Sequence, residues 1–230
     1  MNFKSTPIAA FVFDAYGTLF DVHSVSELAE TLARGRGSAL SQLWRAKQLE
    51  YTWLTSIMGP GAGQRDDFAV LTARALDYAL ESLAIDLGAT EREKLCAAYL
   101  ALSPFADVAS ALTALAPRPR WILSNGTLPM LEPLLRNSGL NRHLDGVLSV
   151  DAAGIFKPSP RVYQLAVDRL QLPAARIGFV SSNCWDAIGA KAFGFTTFWI
   201  NRLHAPVDRH GPAPDAVIAT LAELPSLLLR

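Results

Sequence analysis

The chain is poor in several things, and each shortage removes a class of function. Only two of its 230 residues are cysteine, Cys96 and Cys184, far apart and without CxxC spacing. That argues against a disulfide framework or a cysteine zinc site and predicts free thiols in a reducing compartment. Charge of either sign is not in excess, with 21 Lys plus Arg against 21 Asp plus Glu. Nucleic-acid and anionic-membrane surfaces carry a basic surplus, so neither partner is expected. No apolar run approaches the roughly 18 residues that span a bilayer. The apolar start IAAFVFD (8–14) is too short for a signal peptide and is interrupted by Asp14. A cytoplasmic protein without membrane contact is the expectation. There is no G-x-S-x-G element, and none of His23, His143, His204 and His210 stands in an obvious position for a serine hydrolase base. GPGAG (59–63) lacks the Lys-Ser/Thr of a phosphate-binding loop and reads as a joint between helices.

Hydrophobic residues are plentiful, half of the chain, and they come in short continuous runs. Six read as strands: 8–14, 120–126, 146–150, 177–183, 196–201 and 216–219. Continuous rather than alternating apolarity is the pattern of parallel strands covered on both faces. Helical patterns separate them: PMLEPLLRNSGL with a stop at Gly139, SPRVYQLAVDRLQL with Ser159 as N-cap and Pro160 in the first turn, and WDAIGAKAFGF. The alternation predicts an α/β fold, a doubly wound parallel sheet. Residues 21–100 break it. Four helical stretches follow one another there (24–33, 38–58, 65–85 and 90–102), joined by RGRG and GPGAG. The division predicted is a core of 1–20 and 101–230 with an all-helical insert, 21–100.

Ligands of such sheets gather beyond the carboxyl ends of the strands. The polar residues ending the runs are Asp14 with Thr18, Ser124 with Asn125, Lys157 in the loop after the third run, and Ser181, Ser182 and Asn183 with Asp186 in the next turn. Each alone reads as a cap, a turn former or a solvated side chain rather than as a functional group. Together, on successive parallel strands, they read as a site.

The stretches FDAYGTLFDVHSV, LWRAKQLEYTWL, LSNG, KPSPRVYQLA and FVSSNCWDAIGAKAFGF resemble the L-2-haloacid dehalogenases of the haloacid dehalogenase superfamily over nearly the whole chain. DxxGTL marks the superfamily, which is mostly phosphatases; the second stretch and SSNxWD are more specific. The phosphatases carry a leaving-group acid where this chain has Tyr16, a poor acid at neutral pH. They also carry a further acid after the fourth strand, where only Asp186 is acidic here. Fewer carboxylates suit a hard cation badly, so no metal and no cofactor is expected.

The resemblance implies an Rossmann-like core with a helical cap, and hydrolysis of 2-haloalkanoates with inversion through an ester on Asp14. Lys157 would keep Asp14 ionised and Thr18 would orient it. Ser124 and main-chain N–H groups, Ala15 among them, would hold the substrate carboxylate. Asp186, with Ser181, Asn183 and Tyr163 around it, would position and activate water. Arg45 and Asn125 would receive the halide, Arg45 from a helix whose apolar face is read as Leu43, Leu49, Trp53 and Leu54. Tyr16, Leu49, Trp185 and Phe68 would form the apolar wall. His23 is read as structural and Cys184 as a small buried hydrophobe. A homodimer follows from the resemblance alone. The alternatives are a Mg²⁺-dependent phosphatase of the same superfamily and an inactive binding module.

Overall fold

A computed structural model describes residues 7–59 and 65–228. The chain begins with β1 (Ala10–Phe13), followed by α1 (His23–Leu32), α2 (Gly37–Met58), α3 (Phe68–Ser82) and α4 (Ala89–Ala98). It continues through α5 (Val108–Ala114), β2 (Arg120–Ser124), α6 (Leu128–Ser138), β3 (Gly146–Ser149), α7 (Pro160–Leu170) and β4 (Ile177–Ser181). It ends with α8 (Cys184–Phe193), β5 (Thr196–Ile200), β6 (Ala216–Ile218) and α9 (Leu224–Leu227).

The strands form one parallel sheet in the order β3-β2-β1-β4-β5-β6. This is the doubly wound α/β fold that the apolar runs predict. The runs overstate the strands by one to three residues, because their last residues leave the ladder for the turns that carry function. Strand β1 is buried along its whole length, with Phe11 and Phe13 fully covered, because helices pack on both faces. The strand order reverses between β1 and β4, and Phe13 pairs with Val180 there. Asp14 is the next residue on one strand and Ser181 the next on the other, so the site forms at the switch point.

Gly139 ends α6 in the left-handed conformation, the stop read from the sequence. Ser159 precedes α7 as expected, but its side chain makes no capping bond. Of the GPGAG joint, Gly59 follows α2 and residues 60–63 lie outside those described.

Of the five helices between β1 and β2, α2 and α3 reach the carboxyl ends of the strands. Tyr16 stacks on Phe68 at 5.8 Å between ring centroids, and Trp53 meets Trp185 edge-on at 5.4 Å. The Phe156 N–H donates to Ser56 Oγ at 3.1 Å, and Arg65 pairs with Asp151 at 2.6 Å. The face that α2 buries differs from the one its apolar residues suggest. The covered positions are Gly37, Leu40, Trp44, Gln48 and Thr52, while Leu54 is exposed and Leu43, Leu49 and Trp53 are half-buried. Two polar residues can occupy the covered stripe because each finds a hydrogen-bond partner there. Counting apolar side chains therefore places the face wrongly. Among the described residues no helix is long and apolar enough to cross a membrane.

Candidate active site

Asp14 stands one residue beyond β1, its N–H bonded to the Val180 carbonyl at 2.9 Å. The turn after it is tight. The Ala15 carbonyl accepts from the N–H groups of Thr18, Leu19 and Phe20, and Gly17 has φ +83, open to glycine at little cost. A Cβ on Gly17 would also stand 3.0 Å from Ser182 Oγ. The turn brings Thr18 Oγ1 back to Asp14 Oδ2 at 3.1 Å. Asn183 Nδ2 donates to the same oxygen at 3.0 Å, and Lys157 Nζ donates to Oδ1 at 3.1 Å.

Lys157 is 1% exposed and Asp186 0%, and they are joined at 2.9 Å, so one ammonium lies between two carboxylates. It also lies 5.0 Å from the centre of the Phe179 ring. Burial by itself pulls the lysine pKa down, but Asp14 and Asp186 more than offset this and the net direction is upward. Asp186 moves upward too. Its burial, reinforced by the charge of Asp14, outweighs the pull of Lys157. Tyr163 donates to Asp186 Oδ1 at 2.8 Å, and its phenol is pushed well up, by burial first and then by Asp186. Gly189 permits this approach, since a Cβ there would lie 2.8 Å from Tyr163 Oη and 2.6 Å from Pro158 Cβ.

One small cavity is lined by Asp14, Tyr16, Arg45, Leu49, Phe68, Ser124, Asn125, Lys157, Asn183 and Trp185. Ten sequence candidates from four strand ends and two helices thus share one space. Asn125 Oδ1 accepts from the Lys157 N–H at 3.1 Å, which leaves the amide's NH₂ as the donor group on the cavity side. Tyr16 is 3% exposed, its phenol raised mainly by burial, and its buried Oη has no hydrogen-bond partner among the described residues.

Ala15, Thr18, Tyr163, Ser181 and Asp186 are not among the cavity-lining residues. The arrangement around Asp186 differs from the expected one. Ser181 Oγ accepts from the Asn183 N–H at 3.1 Å and the Asn183 side chain turns to Asp14. Among the described residues the Asp186 carboxylate is therefore held by Lys157 and Tyr163, while Asn183 offers only its main-chain carbonyl, to the Asp186 N–H. The reason is the turn into α8, which points Asn183 back over β1 while Asp186 enters the helix. Two further residues take part: Ser182, expected at the strand end but without a role, and Gln48, which was not expected. The Ser182 N–H donates to Thr18 Oγ1 at 2.8 Å, so Thr18 keeps its own proton for an acceptor. Gln48 accepts from Arg45 Nη1 at 2.5 Å. The one signal in the sequence is its place four residues after Trp44, one helical turn on. Cys184 is a buried free thiol and Cys96 a half-buried one. Among the described residues no three His, Cys, Asp or Glu side chains cluster so as to hold a metal ion.

A carboxylate that is buried and ion-paired at the switch point of a doubly wound sheet, facing a small cavity, stands where such folds place their ligands. The chain belongs to the haloacid dehalogenase-like hydrolases, whose family profile matches residues 8–194. It is 43% identical to an (S)-2-haloacid dehalogenase of Pseudomonas putida over 97% of both chains. The crystal structure of another L-2-haloacid dehalogenase superposes with a TM-score of 0.94, at 44% identity over 98% of this chain and 100% of that one. The enzyme of Xanthobacter autotrophicus, solved with chloropropionic acid covalently bound, gives 0.88 at 40% identity, over 96% of this chain and 98% of that one.

Proposed function

We propose that the protein hydrolyses L-2-haloalkanoic acids to D-2-hydroxy acids through an ester on Asp14. The observation that carries this is the Asp14 carboxylate, held by Lys157, Asn183 and Thr18 at 3.0–3.1 Å and facing a cavity beside Tyr16 rather than a second acid. A halide leaves without a proton, so no acid is needed at that place. An Asp14 oxygen attacks C2 from the side opposite the halogen. The new C–O bond forms as the C–X bond breaks, and halide departs with inversion. Water then adds to the Asp14 carbonyl carbon, restoring the carboxylate and releasing the hydroxy acid and a proton.

Lys157 supplies the positive charge that lets a carboxylate meet an anionic substrate. Asp186, whose affinity for protons burial raises, positions the water and accepts the proton it loses, while Lys157 stays charged between the two carboxylates. Tyr163 holds Asp186, and Ser181 holds the turn that aims Asn183. Ser124, with the N–H of Ala15, binds the substrate carboxylate. Arg45 and the Asn125 amide receive the halide, and Tyr16, Leu49, Phe68 and Trp185 enclose the alkyl group. The chemistry calls for no metal or cofactor, because Lys157 is the cation between the two acids. Residues 21–100 act as a cap over a core of 1–20 and 101–230. The protein works in the cytoplasm as a homodimer.

The test is chloride release from L- and D-2-chloropropionate in EDTA, with Asp14→Asn as control. Chloride from the L isomer alone, absent in the variant, together with an acid-trapped mass increment on Asp14, is expected. No halide from these or from haloacetates, with Mg²⁺-dependent release of phosphate from esters instead, would replace the reading by a phosphatase.

A further inference from the structure

We infer that Gln48 is a positioning residue for Arg45: it holds the guanidinium at the cavity through a neutral oxygen and so leaves its charge free for the departing halide. The inference rests on the proposed role of Arg45 as halide donor. Six other arginines, Arg65, Arg74, Arg92, Arg120, Arg136 and Arg202, are ion-paired with a carboxylate. Arg45 has no such pair among the described residues, and its side-chain partner is Gln48 Oε1 at 2.5 Å.

The amide cannot be turned round without loss. Gln48 Nε2 donates to Thr72 Oγ1 at 2.7 Å, and the Thr72 hydroxyl in turn donates to the Phe68 carbonyl at 2.6 Å. With its single proton committed to Phe68, Thr72 can only accept from Gln48, so the Gln48 oxygen must face Arg45. The two middle members are enclosed, Gln48 at 0% and Thr72 at 2% exposure, so a lost bond there is not replaced by water. The same turn of α3 carries Phe68 into the cavity, so one network sets both Arg45 and Phe68.

A glutamate at 48 would match the size of the glutamine but fail twice. It would neutralise the guanidinium, and it has no proton to give Thr72. As the C–X bond breaks, charge collects on the halogen. Chloride, the poorer leaving group and the stronger hydrogen-bond acceptor, depends more on a positioned cation than bromide does. A disturbance of Arg45 therefore falls on the first chemical step and more heavily on chloride. General damage to the fold would slow both halides and both steps alike.

The experiment is single-turnover halide release from (S)-2-chloropropionate and (S)-2-bromopropionate by the full-length protein and by Gln48→Met, Gln48→Glu and Thr72→Val, with decay of the Asp14 ester followed by mass spectrometry. For Gln48→Met the chloride step should slow roughly ten-fold, the scale of one hydrogen bond to a charged group, and the bromide step less. Gln48→Glu should lose more, Thr72→Val less, and ester decay should keep its rate. Equal slowing of both halides, or no slowing, overturns the inference. If the position-48 variants do not fold, the halide ratio of the isosteric Thr72→Val decides. Absence of halide from the wild type overturns the dehalogenase reading and this inference together, whereas a normal wild type with an unchanged halide ratio in the variants overturns the inference alone.

Discussion

The sheet edge and the helices between β1 and β2 both contribute to one cavity, by opposite electrostatic means. At the sheet edge Asp14, Lys157 and Asp186 are at most 6% exposed, and each is satisfied by a group of opposite charge. Buried ions are tolerable only when paired and hydrogen-bonded. The helical side holds one cation, Arg45, with neutral groups: Gln48, Thr72, and Trp44, whose Nε1 donates to the Thr72 carbonyl at 2.8 Å. A preassembled charge triad suits a nucleophile that must be ionised before substrate arrives. A cation with no counter-charge among the described residues suits the proposed role of Arg45, whose partner, the halide, would exist only once the bond breaks. The two regions also differ in attachment. The triad sits in the segments that follow β1, β3 and β4, whereas the helices meet the sheet through ring contacts and a few polar links.

The largest expected effect tests the sheet side. Asp14→Asn should abolish halide release while leaving the melting temperature within a few degrees of wild type, because Lys157 keeps Asp186. Substantial turnover by that variant would remove the aspartyl ester from the mechanism. Lys157→Met leaves two buried carboxylates facing each other and should cost about 3–5 kcal/mol in urea unfolding at neutral pH. Part of that loss should return as pH is lowered, since protonation of Asp186 relieves the repulsion. A loss independent of pH would mean that the triad is not electrostatically coupled.

The raised pKa of Lys157 sets a further sign. The folded state favours the protonated form, so its contribution is complete below the ordinary lysine value of 10.5 and disappears as pH rises through the raised folded value. Stability and activity should therefore fall together above about pH 10.5, and Lys157→Met should lack that stability loss. Tyr163→Phe removes one hydrogen bond to a buried carboxylate and should cost about 1.5–3 kcal/mol, with a slower ester hydrolysis and an unaltered halide ratio. The smallest effect belongs to the contact between the regions. Arg65→Ala breaks a pair whose aspartate is 38% exposed, so its cost in unfolding should be below about 1 kcal/mol. A change mainly in KM would show that this contact helps seat the helices over the site, whereas a change mainly in kcat would tie it to the chemistry.

Much of this could be read from the chain. Asp14, Lys157 and Asp186 follow apolar strand runs, and a parallel sheet must bring such ends to one edge. The halt at Gly139 and the entry of α7 at Pro160 are local signals and appear where expected. The covered face of α2 was not legible, because Gln48 and Thr52 are polar by type: Gln48 is buried through Thr72, a neighbour only once the chain folds, and Thr52 by turning its hydroxyl onto the Leu49 carbonyl of its own helix. Asn183 read as part of the Asp186 group and is in fact a ligand of Asp14, across 169 positions of chain. Ser182 stood at a strand end without a role until its N–H met Thr18.

By itself the sequence determined the α/β sheet, the order of its elements, the turn that carries Asp14 and the absence of an acid at Tyr16, since these depend on hydrophobic period and on residue type at a strand end. Tertiary structure alone decided which oxygen each donor reaches, how one ammonium is shared between two acids, and that a neutral amide anchors Arg45. Those depend on the register of α2 against α3 and of β1 against β4, where a shift of one residue would exchange every partner while leaving the pattern of apolar and polar residues unchanged.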